Sequence, residues 1–298
     1  MDAVILAGGY ATRLWPLTKN RSKVLLPLGE KTIIDLIVDD LKNAGIDDVY
    51  VSTNEAFADD LQKNLSNVNI SVEGTTTEEE KLGVVGALGE LIERESLSDD
   101  TIVVAGDNVF GFDLGDFVNS FEENPMIATS VVDDPRQFGV VGTDGDQVVD
   151  FVEKPDKPPS NLASLACYAF PQDTLNDFDT YLSSGNNPDE PGHFISWLKD
   201  QRTVLAETYT EEWFDVGTRQ GYLDALDWYR DDEYIAPNVD IKDTHIEGNS
   251  CIMSDVTIED STIGSSVVFP ESTIEMSHVR DSLVEGKVSG DTKRNTIV

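Results

Sequence analysis

The residues of this sequence best suited to phosphate chemistry are two aspartates, two cations in one glycine-led loop, and an adjacent acid–base pair. Asp107 stands in AGDN, directly after the apolar run TIVVA, and Asp215 stands in WFDVGT, between aromatic residues and a glycine turn. Singly, each has an ordinary structural use, Asp107 as a helix N-cap and Asp215 as a turn residue. Together they suit Mg2+, which is held by one or two carboxylates plus substrate phosphates and keeps much of its shell as water. Arg13 and Lys23 lie in the loop Leu6–Pro27, LAGGYATRLWPLTKNRSKVLLP, near its opening pair Gly8 and Gly9. Glycines let the backbone approach a ligand closely and line an anion site with N–H groups. Arginine offers a bidentate fork and lysine a compact charge, so both fit a polyphosphate. Glu153 and Lys154 are neighbours in VEKP; alone, they read as a surface ion pair that contributes little.

Composition makes the loop stand out. The chain of 298 residues carries 57 Asp and Glu against 21 Lys and Arg, a formal net charge of −36. Yet Arg13, Lys19, Arg21 and Lys23 crowd into one short stretch. Such a field excludes a general binder of nucleic acid or of anionic membranes. The acid is spread along the whole chain and coexists with 39% hydrophobic residues. That combination fits a folded protein living in concentrated salt, where charges are screened over about 3 Å at 1 M, and a halophilic archaeon is the expected source. No apolar run approaches the ~20 residues of a membrane helix, and the N-terminus lacks a basic-then-apolar signal pattern. A cytoplasmic location is expected. Cys167 and Cys251 are too few for a disulfide framework or a four-ligand zinc site, and Cys167 reads as a buried small residue. His193, His245 and His278 lack ligand spacing. Trp15 is expected beneath the loop, and Trp197, Trp213 and Trp228 in the core.

The elements that position these residues alternate. Strands are expected at Asp2–Leu6, Val49–Ser52, Ile70–Val72 and Thr101–Ala105, with helices at Thr32–Lys42, Phe57–Asn64 and Gly83–Arg94. Alternation implies an α/β fold, a Rossmann-like, mostly parallel mixed sheet flanked by helices. Its ligand site lies at the carboxyl ends of the strands. Further strands are expected at Met126–Val132, Gly139–Val141, Val148–Glu153, Ser164–Phe170 and Val204–Glu207. Helices are expected at Leu175–Leu182, Phe194–Asp200 and Gln220–Tyr229. Beyond Asp231 aliphatic residues recur every five or six positions, among them Ile246, Ile252, Ile258, Ile263 and Val268. This degenerate hexapeptide rhythm predicts short strands stacking coil on coil, a left-handed β-helix-like segment, against the alternative of irregular hairpins. The domains are therefore expected at 1–230 and 231–298. The edge of such coils is a natural surface for self-association, and a homo-oligomer is expected.

Two glycine-rich patterns fail: there is no GxxxxGK[ST], and GGYAT is not GxGxxG. The loop instead resembles the signature of the sugar-1-phosphate nucleotidylyltransferases, GGxGTRLxPLT…K…LLP, and departs from it only where Ala11 replaces a glycine. GDN resembles that family's first metal aspartate and WFDVGT its second. VEKP resembles its EKP segment, FGVV (Phe138–Val141) its YGVV strand, and SNLAS (Ser160–Ser164) its SNxA. The likeness covers roughly Met1 to Arg230 and is nearest to the glucose-1-phosphate thymidylyl- and uridylyltransferases. It implies a nucleoside triphosphate on Leu6, Ala7, Gly8, Gly9, Thr12, Arg13, Glu80, Gly83 and Gly106. It implies a sugar 1-phosphate on Lys23, Gly139, Glu153, Lys154 and Ser164, with Glu153 on hydroxyls and Lys154 on the phosphate. Arg13, Lys23 and Asp107 would be catalytic, Arg13 holding the departing pyrophosphate, and Asp107 and Asp215 would bind Mg2+.

The implied reaction moves a nucleotidyl group from dTTP or UTP to glucose 1-phosphate. Two stretches depart from the pattern. EEEKLGVVGAL, with Leu82 and Gly86, is closer to the ELGTAGAL-like text of guanylyltransferases acting on mannose 1-phosphate, which stands as the alternative. The RGExEITD segment is replaced by DEPGHFISWL. A third reading, of another class, is a regulatory subunit that binds a nucleotide sugar without turning it over.

Overall fold

A computed structural model of the chain describes residues 1–75 and 82–298. Along the chain the elements are β1 (Asp2–Leu6), α1 (Ile33–Asn43), β2 (Asp48–Asn54), α2 (Glu55–Asn64), β3 (Asn69–Glu73), α3 (Val84–Glu95) and β4 (Thr101–Ala105). There follow β5 (Asn108–Phe110), α4 (Leu114–Ser120), β6 (Met126–Val131), β7 (Gly139–Asp144), β8 (Gln147–Glu153) and β9 (Leu162–Phe170). After these come α5 (Leu175–Ser183), α6 (Pro191–Leu198), β10 (Leu205–Tyr209), β11 (Trp213–Asp215) and α7 (Arg219–Tyr229). The chain divides into two compact units, and neither is continuous in sequence. One comprises Met1–Gly8, Ile37–Gly106 and Phe110–Glu212; the other comprises Gly9–Leu36, Asp107–Val109 and Trp213–Val298.

The first unit is built on a nine-stranded mixed sheet of order β3-β2-β1-β4-β9-β6-β10-β8-β7. The first four strands of that order run parallel, β9 lies antiparallel between β4 and β6, and β6 and β10 are again parallel. Apolar runs such as TIVVA form these strands because the sheet interior takes β-branched residues on both faces. The unit's core gathers Val4, Val103, Ile127, Phe151, Phe170, Phe178 and Phe194. Three short elements lie outside the expected pattern: β5, its partner β11, and α4. The strand β5 is only three residues long, and α4 is started by Asp113, whose Oδ1 accepts the Gly115 N–H at 2.7 Å. The helix expected over Phe194–Asp200 begins instead at Pro191, whose fixed φ suits a first helical turn.

In the second unit β5 and β11 pair, and a solenoid follows. Its strands are β12 (Tyr234–Ile235), β13 (Asp240–Lys242), β14 (His245–Glu247), β15 (Cys251–Ile252), β16 (Thr257–Glu259) and β17 (Thr262–Gly264). They continue with β18 (Val267–Val268), β19 (Thr273–Glu275), β20 (His278–Arg280), β21 (Leu283–Val284), β22 (Lys287–Ser289) and β23 (Thr292–Arg294). Every third strand stacks in parallel, giving sheets β12-β15-β18-β21, β13-β16-β19-β22 and β14-β17-β20-β23. The five-to-six-residue rhythm places Ile252, Ile258, Ile263, Val268, Ile274 and Val279 in one buried core, stacked as three columns, one on each sheet. Several corners sit in the left-handed region, including Asp243, Asp255, Asp260 and Asp281, where a short polar side chain is better tolerated than most.

Two tryptophans differ from expectation. Trp15 is 48% exposed, with the Lys19 ammonium 6.0 Å from its ring. Trp228 is 43% exposed and tilts over Phe214. An indole is amphipathic and tolerates such partial exposure to water. Cys167 and Cys251 are buried, and burial pushes the Cys251 thiol up to about 12.

Candidate active site

In the first unit the carboxyl ends of β1, β2 and β4 converge. The Ala7 N–H donates to Ser52 O at 2.8 Å and the Gly106 N–H to Leu6 O at 2.9 Å. Asn54 Nδ2 donates to Gly8 O at 2.8 Å. Glu73 ends β3 beside them: a Cβ on Gly8 would lie 3.8 Å from its Oε1, which accepts the Thr75 hydroxyl at 2.7 Å. Asn54 and Glu73 were not singled out by sequence; the signal was a polar residue closing each of two apolar strands. Gly83, at φ +78, precedes α3, and a Cβ there would lie 2.3 Å from Pro188 O, so only glycine fits. Glu80 lies outside the described residues.

The same unit holds the acid–base pair. Gly139 of β7 faces Glu153 of β8. A Cβ on Gly139 would lie 3.1 Å from Glu153 Oε2 and one on Gly192 only 2.1 Å from it, so two glycines leave room for this carboxyl. Burial pushes the Glu153 carboxyl up, against the opposing pull of the Lys154 charge. Lys154, at φ +43, places its ammonium on Glu190 and 3.5 Å from Glu153 Oε1. Burial opposes the charged lysine, but the bonds to Glu190 and Glu153 outweigh it and raise its pKa. His193 Nε2 lies 3.5 Å from Glu190 Oε2. Glu190, Gly192 and His193 all stand in DEPGH, the stretch that sequence reading noted only as a departure. Ser164 is buried in β9 opposite Thr129 of β6.

The second unit brings together four of the expected residues. Lys23 opens a 3-10 turn, Lys23–Leu25, and its ammonium contacts Asp107 Oδ2. Asn108 Nδ2 donates to Asp107 Oδ1 at 3.1 Å, and Trp213 Nε1 donates to Asn108 Oδ1 at 2.8 Å. The Val216 N–H donates to the Asp107 carbonyl at 3.1 Å, so Asp107 and Asp215 stand on adjoining segments. Asp215 Oδ1 accepts the Gly217 N–H at 2.7 Å. At Gly217 a Cβ would lie 2.8 Å from Arg13 Nη2 and 2.9 Å from Asp215 Oδ1, which sets the guanidinium beside that carboxylate. Gly9 and Thr12 belong to the same loop segment.

Ala11 explains the usual glycine of the signature. It sits at φ 47, ψ 47, ahead of the turn Thr12–Leu14, and its carbonyl accepts the Thr18 hydroxyl at 2.8 Å. A left-handed conformation costs an L-residue about 1–2 kcal/mol, while glycine's extra unfolded freedom costs about 0.5–1 kcal/mol. Ala11→Gly is therefore expected to raise stability by up to roughly 1 kcal/mol, read from denaturant midpoints at constant salt. A drop in the midpoint would show that the loop is not strained there.

The chain belongs to the family described as Nucleotidyl transferase, whose profile matches residues 2–232. A Sulfolobus acidocaldarius protein assigned as a mannose-1-phosphate guanyltransferase is 31% identical over 75% of this chain and 61% of its own length. The low-salt glycan biosynthesis nucleotidyltransferase Agl11 of Haloferax volcanii is 31% identical over 76% of this chain and 65% of its own. A Bacillus anthracis crystal structure, assigned as a glucose-1-phosphate thymidylyltransferase in complex with a sucrose, aligns with a TM-score of 0.69 and 27% identity. It covers 79% of this chain and 97% of that one. The present chain thus spans 61% and 65% of the lengths of these two curated relatives.

Proposed function

We propose that the protein transfers a nucleotidyl group from a nucleoside triphosphate to a sugar 1-phosphate. The observation that carries this reading is the gathering of Arg13, Lys23, Asp107 and Asp215 around the paired strands β5 and β11. In the reaction a phosphate oxygen of the sugar 1-phosphate forms a bond to the α-phosphorus. The bond to the β-phosphate's bridging oxygen breaks, and pyrophosphate leaves with the electron pair. The attacking group is already an anion, so no general base is needed, and catalysis reduces to alignment and charge neutralisation. Arg13 offsets charge on the departing pyrophosphate and Lys23 on the reacting phosphates. Leu6, Ala7, Gly8, Gly9 and Thr12, with Gly83, Gly106 and the sequence-assigned Glu80, bind the nucleotide. Glu153 takes sugar hydroxyls and Lys154 the sugar phosphate, with Gly139 giving the close approach and Ser164 lying behind.

Asp107 and Asp215 fit a hard divalent cation, since both are oxygen donors on adjoining segments. Among the described residues no group of three or more His, Cys, Asp and Glu side chains could hold a metal ion. A two-carboxylate site suits Mg2+, which draws its remaining ligands from phosphate and water. Bound there, Mg2+ would supply charge neutralisation at the phosphate oxygens.

Glucose 1-phosphate with dTTP or UTP is our preferred pair, in keeping with the Bacillus structural relative. Mannose 1-phosphate with GTP is the second reading, favoured by the Leu82–Gly86 text and the Sulfolobus relative. The deciding experiment is a panel of each triphosphate with each sugar phosphate, in Mg2+ and molar salt, followed by pyrophosphate release. Binding without pyrophosphate release would replace the enzyme by a regulatory subunit. We further read a catalytic domain over 1–230 with a hexapeptide-repeat domain over 231–298, in a cytoplasmic, homo-oligomeric protein of a halophile. The net charge of −36 and the Haloferax relative support the last of these. Among the described residues no helix is long and apolar enough to cross a membrane.

Glu190 gives a sharper test of the sugar-phosphate role. One lysine there faces two carboxylates, a poor welcome for a phosphate dianion. Glu190→Gln is expected to lower KM for the sugar phosphate by up to about fivefold, the upper end for an exposed pair. KM for the triphosphate should not change. An unchanged or higher KM for the sugar phosphate would remove Lys154 from phosphate binding.

A further inference from the structure

We propose that one turn of the solenoid, Asp281 to Glu285, positions the phosphate-handling residues through Arg21 and Arg219. Arg21 lies two residues before Lys23. Its Nη2 donates to Glu285 Oε1 at 2.8 Å, and its guanidinium carbon sits 5.3 Å from the centre of the Phe269 ring. Arg219 lies four residues after Asp215, at the start of α7, and its Nη1 donates to the Asp281 carbonyl at 2.6 Å. The two chain segments that carry the ammonium and the second carboxylate are thus tied to the two ends of a single five-residue turn.

That turn is a firm anchor. Leu283 and Val284 are fully buried and stack on Val267 and Val268. The next segment pairs with them, the Leu283 N–H donating to Thr296 O and the Val298 N–H to Leu283 O, each at 2.9 Å. Leu283 and Phe269 also share one core with Leu14, Leu26, Val109 and Val216, so loop and solenoid are packed as one body.

Packing alone does not explain the guanidinium. Among the described residues Arg21 Nη1 is buried without a hydrogen-bond partner, a cost that an apolar side chain stacked on Phe269 would avoid. A charged fork reaching Glu285 fixes direction as well as depth, and direction is what Lys23 requires. A misplacement of about 1 Å can cost on the order of 10²-fold in rate. Arg21 and Arg219 are thus positioning residues, acting through Lys23 and Asp215.

The inference rests on the phosphate-handling role given above to Lys23 and Asp215, and its test separates the two. In the full chain at high salt, Glu285→Gln should leave the melting temperature within about 4 °C, the shift expected for roughly 1 kcal/mol in a chain of this size. It should lower kcat about tenfold with KM for the sugar phosphate unchanged, a fraction of the misplacement cost. Arg21→Glu should lower kcat further, and adding Glu285→Arg in the same chain should recover most of the loss by restoring the pair in reverse. Amide exchange of Lys19–Leu26 should quicken in Glu285→Gln whether or not the chain turns over any substrate. A lower melting temperature with unchanged kcat, no recovery in the reversed pair, or unaltered exchange across Lys19–Leu26 would each overturn the proposal. Absence of pyrophosphate release from the parent protein would overturn only the proposed reaction, and the exchange measurement would still decide this one.

Discussion

Asp107→Ala is expected to reduce pyrophosphate release by at least 10²–10³-fold, roughly the loss that follows removal of one charge-stabilising contact, while the protein remains folded. The side chain does little for stability. It is partly exposed, lies outside the hydrophobic clusters, and among the described residues bonds Lys23 and the neighbouring Asn108. The Asp107 carbonyl that accepts the Val216 N–H is retained in the alanine variant, so the β5–β11 pairing survives. What disappears is one of the two carboxylates proposed to hold a divalent ion, and the partner of the Lys23 ammonium. Arg13→Ala should act as strongly, because the guanidinium beside Asp215 has no cationic substitute on its own turn. Circular dichroism confirms the fold, and a pyrophosphate assay reads the rate. A rate near the parent's in either variant would dissolve the assignment.

Dilution of salt is expected to unfold the protein, with the thermal midpoint falling by more than about 10 °C between 2 M and 0.1 M KCl, several kcal/mol in a chain of this length. The Debye length grows from about 3 Å at 1 M to about 10 Å at 0.1 M, which restores repulsion among charges summing to −36. Specific places concentrate the stress. In the solenoid Glu259 stacks directly on Glu275, a like-charge pair relieved by Lys242 and Lys287. At the start of β1, Asp2 sits in register with Asp48; burial first, then the neighbouring Asp99 and Asp48, push its carboxyl up against the pull of the N-terminal ammonium. Equal midpoints in both salts would remove the halophilic reading.

Much of the scaffold could be read from spacing because it follows local rules. Thr101–Ala105 is a strand with its expected bounds, since four buried β-formers in a row have few other uses. The solenoid announces itself because each short strand must present an aliphatic residue to the same core. The small elements β5, together with its partner β11, and α4 escaped. The first is held by a partner strand over a hundred residues away, and the second by a single Asp cap.

At the candidate site, glycines and charged residues were legible as types, but their partners were not. Nothing in the spacing joins Lys23 to Asp107, which the fold brings into contact across 84 residues. Nor does DEPGH declare that Glu190 will sit on Lys154 while Gly192 makes space for Glu153. Such contacts depend on a tertiary approach that no periodicity encodes.

The discontinuous second unit also has a consequence for synthesis on the ribosome. Gly9–Leu36 emerges early, yet Val216, Tyr222 and Leu283, against which it packs, are made only near the end. At 5–20 residues per second, the newborn loop waits roughly ten seconds or more with Leu14, Leu17 and Leu26 uncovered. Nascent chains halted before Trp213 should consequently recruit holdase chaperones that the finished protein ignores.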